Sequence, residues 1–577
     1  MQALGTRIAR RHMLKLCVSS CGVALLAACG TTAAPVTPAT SAPPAAGQST
    51  AATAASGQAT AATTQSAAAA TALPASAPTS AAASLPTPVV GVVAPAPQTA
   101  GAKSGGTLRM GIVGDLPSLD GNDFGAAFDI TYPIFNNLGQ EDEKLNLSPE
   151  LAESFDLSSD SRTLKVNLRK GVQFHTGREL TSDDVRWEIE RSNDPKVSAG
   201  VLRAFRILLT SVETPDKYTV IIKSDQPWPA MADYIHVMNL LDPQTPDPKL
   251  TPVGTGPFTF QEYVQGDHLS LVKNPNYWKP GLPYLDGIRF QIFKDPQSML
   301  VAFEAGQLDA VDTPPIRDTA RYEQDPNWHV VFNNIAGDSY VITFNTTQAP
   351  TDNKLLRQAM SYALDRGRIA DSVLQNVGAP KNIPYYPSSP AYDLAADQHY
   401  TFDLDKAKSL LDSAGLSNLT MDFNINSTSD ATEWSAISQI YQADLARIGI
   451  NINIRPFDNP TIGSMLSAVS YNGIAAGTST VGHLHAGVLS ASPTFGYTSN
   501  RAGFKPDDFK PIDYAILTEI DPAKQQQAYA DWRNYFLDQQ WAMVVTSKRP
   551  RVATSTQVHG IGYTRAEKLY YDETWLG

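Results

Sequence analysis

Residues 251–312 read TPVGTGPFTFQEYVQGDHLSLVKNPNYWKPGLPYLDGIRFQIFKDPQSMLVAFEAGQLDAVD. The opening cluster, Pro252-Val253-Gly254-Thr255-Gly256-Pro257, packs two prolines and two glycines into six positions, which no helix or central strand accommodates. Apolar and polar residues alternate over 258–262 and again over 269–273, with Gly266-Asp267 between them. Two such runs around a glycine turn predict a β-hairpin. Asn274-Pro275 ends the second run, because proline has no N–H to give a ladder. A third alternating run, 288–293, predicts another strand. The helical spacing of 296–305 predicts a helix that stops at Gly306.

Upstream, 105–113 predicts a strand running into the turn-rich loop Asp115-Leu116-Pro117-Ser118-Leu119-Asp120. Residues 129–138 have helical spacing, and 164–168 read as a strand. Thr181 reads as an N-cap with Asp184 at the third helical position, and the acids Asp183 and Asp184 suit the helix dipole. His175 has no second ligand at useful spacing and reads as structural. Downstream, 339–345 predicts a strand, and positions 356, 359, 360 and 363 put apolar residues on one helical face. Residues 380–392 form an aromatic, proline-rich loop carrying Tyr385 and Tyr386. A short helix over 405–414, a strand over 419–425, a long helix over 432–448 and a strand over 450–454 follow. Then comes a helix over 513–537. Strand–helix–strand alternation calls for an α/β protein with a parallel sheet and helices on its faces. Ligands of open α/β sheets gather at the carboxyl ends of strands, which makes 115–118 a candidate cleft wall.

Four motifs stand in order: Pro252-Val253-Gly254-Thr255-Gly256-Pro257-Phe258, Asn274-Pro275-Asn276-Tyr277-Trp278, Pro283-Tyr284-Leu285-Asp286 and Ala305-Gly306-Gln307-Leu308-Asp309. With 168–185 and 355–366 they resemble bacterial extracellular solute-binding protein family 5, the peptide and nickel class that serves ABC importers. The resemblance runs from about Gly105 to the C-terminus. It implies a periplasmic-binding-protein type II fold, two lobes (three subdomains) around a ligand cleft with hinge crossover strands. Lobe I would comprise 104–131, 251–344 and 545–577, its extension subdomain 132–250, and lobe II 345–544.

The function implied is an extracytoplasmic receptor that captures a peptide or other small polar solute and delivers it to a permease and its ATPase. It would be a monomer, without catalysis or cofactor. The cleft residues implied are Asp115, Leu116, Pro117 and Ser118 from the first lobe. From the second they are Asn345, Tyr385, Tyr386, Ser427, Asp430, Gly477, Thr478 and Ser479. Peptide-binding relatives carry Gly-Trp followed by an Asp that pairs with the ligand's amine; the aligned positions here are Gly477, Thr478 and Val481. An ammonium buried without a carboxylate is costly, so this departure points to a neutral polar molecule, a sugar-like compound or a peptide held differently. His483 and His485 could share a strand face, but two histidines are too few for a closed metal site, and no metal is expected. Two other classes compete: a secreted hydrolase, for which no acid, base and nucleophile assemble in the sequence, and a ligand sensor without a transporter.

The first hundred residues are of a different kind. Arg10-Arg11-His12-Met13-Leu14-Lys15 precedes the apolar run 18–28, which is too short to span a bilayer and reads as a signal peptide over 1–28, with a twin-arginine flavour. Leu26-Ala27-Ala28-Cys29 resembles a bacterial lipobox, which implies lipidation of Cys29 and anchoring to the cell membrane. Residues 30–102 carry no charged side chain and are mostly Ala, Thr, Ser and Pro, a composition that cannot bury a core. As a tether over 29–103 they would span roughly 45–50 Å r.m.s.. The 577 residues carry a formal charge of −12. Losing the leader removes Arg7, Arg10, Arg11 and Lys15 and no acid, which takes the charge to −16. No basic stripe offers a nucleic-acid surface. The three cysteines, Cys17, Cys21 and Cys29, all lie in the first thirty residues, so a chain beginning at Cys29 has no disulfide.

Overall fold

The computed structural model describes residues 101–577 apart from 124–127, 142–146, 195–196, 198–201, 203–204, 334–337, 429, 481–484 and 564–568. The leader, Cys29, the tether, Val481 and His483 lie outside the described residues.

A seven-stranded sheet holds the strands of residues 251–312. The strand Thr107–Val113 runs through its middle, parallel to Gly287–Phe293 on one side and Ala310–Asp312 on the other. The expected hairpin is Phe258–Val264 against His268–Lys273, with Phe258 opposite Lys273. It joins the sheet through Gly287–Phe293. The helix Pro296–Glu304 follows, started by proline in its first turn and by the Asp295 carboxylate, which accepts from Ser298 N at 2.9 Å. Leu108, Met110, Ile288 and Phe290 fill the core beneath.

The two motif glycines are packing residues. A methyl at Gly254 would stand 2.2 Å from the Ile134 carbonyl oxygen, and one at Gly256 2.5 Å from the Ile134 carbonyl carbon. His175 clamps the same turn: its backbone N donates to Gly254 O at 2.9 Å and its Nε2 lies 3.1 Å from Gly256 O. Burial pushes this imidazole down to about 4, so it is neutral and structural, as its isolation in the sequence suggests.

The segment between the first strand and the motif builds a four-stranded antiparallel sheet, ordered Ala152–Leu157, Thr163–Leu168, Thr219–Ser224, Leu209–Asp216. The helix Ser182–Asn193 begins at the predicted cap: Thr181 N and its hydroxyl donate to Asp184 Oδ2 at 2.8 and 3.0 Å. The helix predicted over 129–138 is shorter, a turn Phe128–Thr131 followed by a 3-10 turn Tyr132–Ile134 that carries Pro133.

A five-stranded sheet makes the second lobe, ordered Ile450–Phe457, Leu419–Asn426, Ile474–Thr480, Asp338–Phe344, Ala542–Ser547. The first three are parallel, and the last two run antiparallel to their neighbours. Helix Ala431–Ala446 buries Trp434, Ile437 and Tyr441 against this sheet. The helix expected over 513–537 is two helices, Phe509–Thr518 and Pro522–Gln539. Asp521 caps the second, accepting from Ala523 N and Lys524 N, with Pro522 at its first position. That is a start signal inside an otherwise helical pattern. The chain passes from the seven-stranded to the five-stranded sheet between Phe332 and Asp338, and back between Ser547 and Arg551. Of the lobe boundaries expected from the sequence, 344 is the last residue of the strand Asp338–Phe344 and 545 lies within the strand Ala542–Ser547.

The glycines give a direct test of packing. Gly256→Ala drives a methyl into the Ile134 backbone and is expected to cost about 1–3 kcal/mol. Gly463→Ala, in the helix Asn459–Ala468 with nothing within 4 Å, is expected to gain about 0.5–1 kcal/mol. Denaturant unfolding of the two variants checks the opposite signs.

Candidate functional site

The loop after Thr107–Val113 reaches the second lobe. A methyl on Gly114 would lie 3.5 Å from Thr428 Cβ, so the start of this loop meets Thr428 of the second lobe. Asp115 is half-buried. Its Oδ1 accepts the Tyr263 hydroxyl and, at 3.0 Å, Leu116 N. Leu116 points into the core, Pro117 is exposed, and Ser118 is buried, accepting from Asp120 N at 3.2 Å. The loop is held from behind by Arg191, whose guanidinium makes two bonds to Asp120, at 2.6 and 3.1 Å, and two to Glu188, at 2.8 and 3.3 Å. Burial pushes Glu188 up to about 7, against the pull of Arg191.

On the other side the strand register decides which residues meet. Ser339 pairs with Ser479, Tyr340 with Thr478 and Val341 with Gly477. The Tyr386 hydroxyl lies 3.0 Å from Ser339 Oγ and donates to Asp338 O. Tyr386 is carried by a loop that Lys381 and Asp397 staple from inside with a buried 3.2 Å ion pair. Tyr385 turns the opposite way, into the aromatic cluster around Trp532, 5.8 Å away between ring centroids. Ser427 is exposed, its N–H bonded to Phe457 O at 2.8 Å. Asp430 sits in a left-handed conformation (φ 51°) before its helix, and its carboxylate takes the Tyr340 hydroxyl at 3.0 Å and Lys548 Nζ at 2.8 Å. Asn345 lies at the far end of the Asp338–Phe344 strand, six residues and about 20 Å from Ser339. Its Nδ2 donates to Tyr471 O at 2.6 Å and its Oδ1 accepts Thr347 Oγ1 at 2.7 Å, both inside its own lobe.

The structure adds a group the sequence did not single out. Asp312, Asp338, Asp430 and Glu433 gather with Lys548 and Arg551 where the chain returns to the first sheet. Lys548 Nζ is 3.7 Å from Asp338 Oδ2 as well as 2.8 Å from Asp430. Glu433 accepts Ile316 N at 2.9 Å and Arg551 Nη2 at 3.3 Å, which joins a second-lobe helix to a first-lobe helix and strand. Burial pushes Asp312 up, and pushes Asp338 up to about 6 against the ammonium of Lys548. For Asp430, burial pushes up but the charge and hydrogen bond of Lys548 outweigh it, so its carboxyl stays below the ordinary range. The only signal in the sequence is the basic run Lys548-Arg549-Pro550-Arg551, which reads as solvated until the crossover is known.

At the rim the extension meets the second lobe. Asp233 Oδ2 accepts His485 N at 2.6 Å, and Val488, Ala491 and Leu517 pack in one cluster with Trp228, Met231 and Tyr234. His485 is buried. Its Nδ1 accepts Gly487 N at 3.0 Å, and burial pushes it down to about 4. Among the described residues no group of three or more His, Cys, Asp or Glu could hold a metal. No helix among them is long and apolar enough to cross a membrane.

Lys548→Met tests the crossover cluster. It leaves Asp430 and Asp338 buried without their cation, which is expected to cost about 3–5 kcal/mol at pH 7. Without Lys548 these carboxyls are held above their unfolded values, so the loss is present at neutral pH and relieved as pH falls and they protonate. Unfolding of both proteins at pH 7 and pH 5 checks the sign.

The profile of bacterial extracellular solute-binding proteins, family 5 Middle, matches residues 146–482. Heme-binding protein A of Haemophilus influenzae is 33% identical over 341 residues, 53% of this chain and 61% of that protein, so the chain spans less than two thirds of that relative. A putative ABC transporter peptide-binding protein of Brucella ovis is 30% identical over 436 residues, 70% of this chain and 79% of that protein. Among solved structures, the PBP AgaA from A.tumefacien R10, in complex with agropinic acid, superposes with a TM-score of 0.73 at 25% identity, over 81% of this chain and 99% of that one. Proteins of this family are extracytoplasmic, non-enzymatic transport components that bind peptides or small molecules and work with an ABC permease and ATPase. With two lobes meeting across an opening, a type II periplasmic-binding fold and these matches, the chain belongs to bacterial extracellular solute-binding protein family 5.

Proposed function

We infer that this receptor is tethered by a lipid at Cys29 and captures a neutral polar solute between its lobes for delivery to an ABC permease. The observation that carries the ligand class is Lys548. A ligand's ammonium needs a carboxylate, and the acid that peptide-binding relatives use is Val481 in this sequence. The two cleft carboxylates best placed to replace it are already engaged. Asp115 takes the Tyr263 hydroxyl, and Asp430 takes Lys548. The chain thus fills the site with its own cation. Beside Asp430 at this end stand Ser339, Ser479, Thr478 and Tyr386, neutral hydroxyls and an aromatic ring rather than a carboxylate. The likeness to AgaA, seen with agropinic acid, supports a ligand outside the simple peptides.

Calorimetric titration of the purified protein with trialanine, N-acetyl-trialanine, maltose and agropinic acid tests this. A neutral polar ligand is expected to bind at least about tenfold tighter than trialanine, a difference of about 1.4 kcal/mol. Tight binding of trialanine that acetylation abolishes sinks the reading, because it requires a carboxylate free to take the amine.

The anchor has its own test. Cys29→Ala is expected to move the protein from the membrane fraction to the soluble fraction, with binding and melting temperature unchanged. Continued sedimentation with membranes rules out the lipid.

A further inference from the structure

Three tyrosine hydroxyls are buried with no hydrogen-bond partner among the described residues: Tyr385 and Tyr529 of the second lobe and Tyr234 of the extension. The residues are 3%, 0% and 1% exposed. A tyrosine that only fills a core does no better there than phenylalanine, and its unpaired hydroxyl is costly once water is excluded. These three gather on one seam. The Tyr385 and Tyr529 ring centroids are 6.4 Å apart, and the His485 imidazole lies 6.4 Å from Tyr529 on its other flank. Asp233, which reaches across from the extension to His485 N, also bears on the hydroxyls of both Tyr234 and Tyr529, adding to the effect of burial in pushing them up. The seam therefore lies where the extension meets the second lobe.

The groups present select the chemistry. A phenol both donates and accepts, as does an alcohol or sugar hydroxyl. A carboxylate only accepts, and here it would face Asp233 and the buried Asp513. An ammonium only donates, and both carboxylates here already accept from the chain: Asp233 takes His485 N, and Asp513 takes Tyr497 N and the Trp532 indole N–H.

We propose that this seam is a subsite for the uncharged, hydroxyl-bearing end of the solute, with Tyr385, Tyr529 and Tyr234 as the groups that bind it. The proposal rests on the reading of the cleft as a receptor for neutral polar solutes and names the residues of a second contact region.

The test uses the purified protein and its Tyr385→Phe, Tyr529→Phe and double variants, with Tyr234→Phe as an independent fourth. The probes are maltose, sucrose, D-mannitol and methyl α-D-mannopyranoside, with trialanine and N-acetyl-trialanine for contrast. At least one polyol is expected to bind, and each single substitution to weaken it by about 3- to 10-fold, the double variant more. Melting temperatures are expected to stay level or rise, which shows that the variants fold. Polyol binding unchanged in the double variant overturns the subsite and leaves the receptor reading standing. Wild-type protein that binds the trialanine probes but no polyol overturns the polyol chemistry and the neutral-solute reading while leaving a receptor. Binding of no probe at all overturns the subsite and the neutral-solute reading together.

Discussion

Lys548 and Arg551 stand three residues apart on the chain's return path and bind the second lobe at different points. Lys548 pairs with Asp430 and Asp338, and Arg551 with Glu433. Arg551 also donates to Pro314 O at 2.7 Å, so its guanidinium is shared between the lobes. Removing these charges from water is expensive, and their mutual attraction only offsets the cost when partners and geometry are complete. The cluster is therefore a poor source of net stability. Its effect is on orientation: any shift that separates Lys548 from Asp430, or Glu433 from Ile316 N, leaves a buried charge uncompensated. The two sheets can rotate about this point only through arrangements that keep those pairs.

That constraint explains what the sequence shows and what it hides. The hairpin, the helix after Pro296, the capping box at Thr181 and the strand–helix–strand run of the second lobe are legible because each depends on neighbours within a few residues. The break at Asp521-Pro522 is equally local, a cap and a first-position proline inside a helical pattern, but periodicity alone does not register it. The candidate site is less legible. Every residue of Asp338–Phe344 is buried, so alternation cannot tell its two faces or its two ends apart. The resemblance supplies Asn345, Tyr386 and Ser479 together, but the register sends Asn345 to the far end of the strand. Lys548 is hidden for the opposite reason: a basic residue after a strand reads as solvated until its partners, more than a hundred positions away, are placed.

The two ends of the opening are held by different physics. At the crossover the contacts are charged, directional and saturated. At the rim they are largely apolar, with Val488, Ala491 and Leu517 against Trp228, Met231 and Tyr234, beside the bond from His485 N to Asp233. Apolar contact gives no penalty for sliding, so the rim can part while the crossover stays paired. Parting exposes the apolar patch to water, which resists opening, but it also hydrates the hydroxyls of Tyr234, Tyr385 and Tyr529, which favours it. The two contributions are of similar size and opposite sign, each a few kcal/mol for groups of this number. A balance that close is one a bound solute can tip. A ligand shifts a two-state equilibrium only by its difference in affinity for the two states. A solute that satisfies the rim hydroxyls gains those bonds in the closed arrangement alone, whereas one that touches only the loop 114–120 gains nothing from closure. On this reasoning the crossover cluster fixes the axis of the motion, and the hydroxyls at the rim decide which solutes complete it.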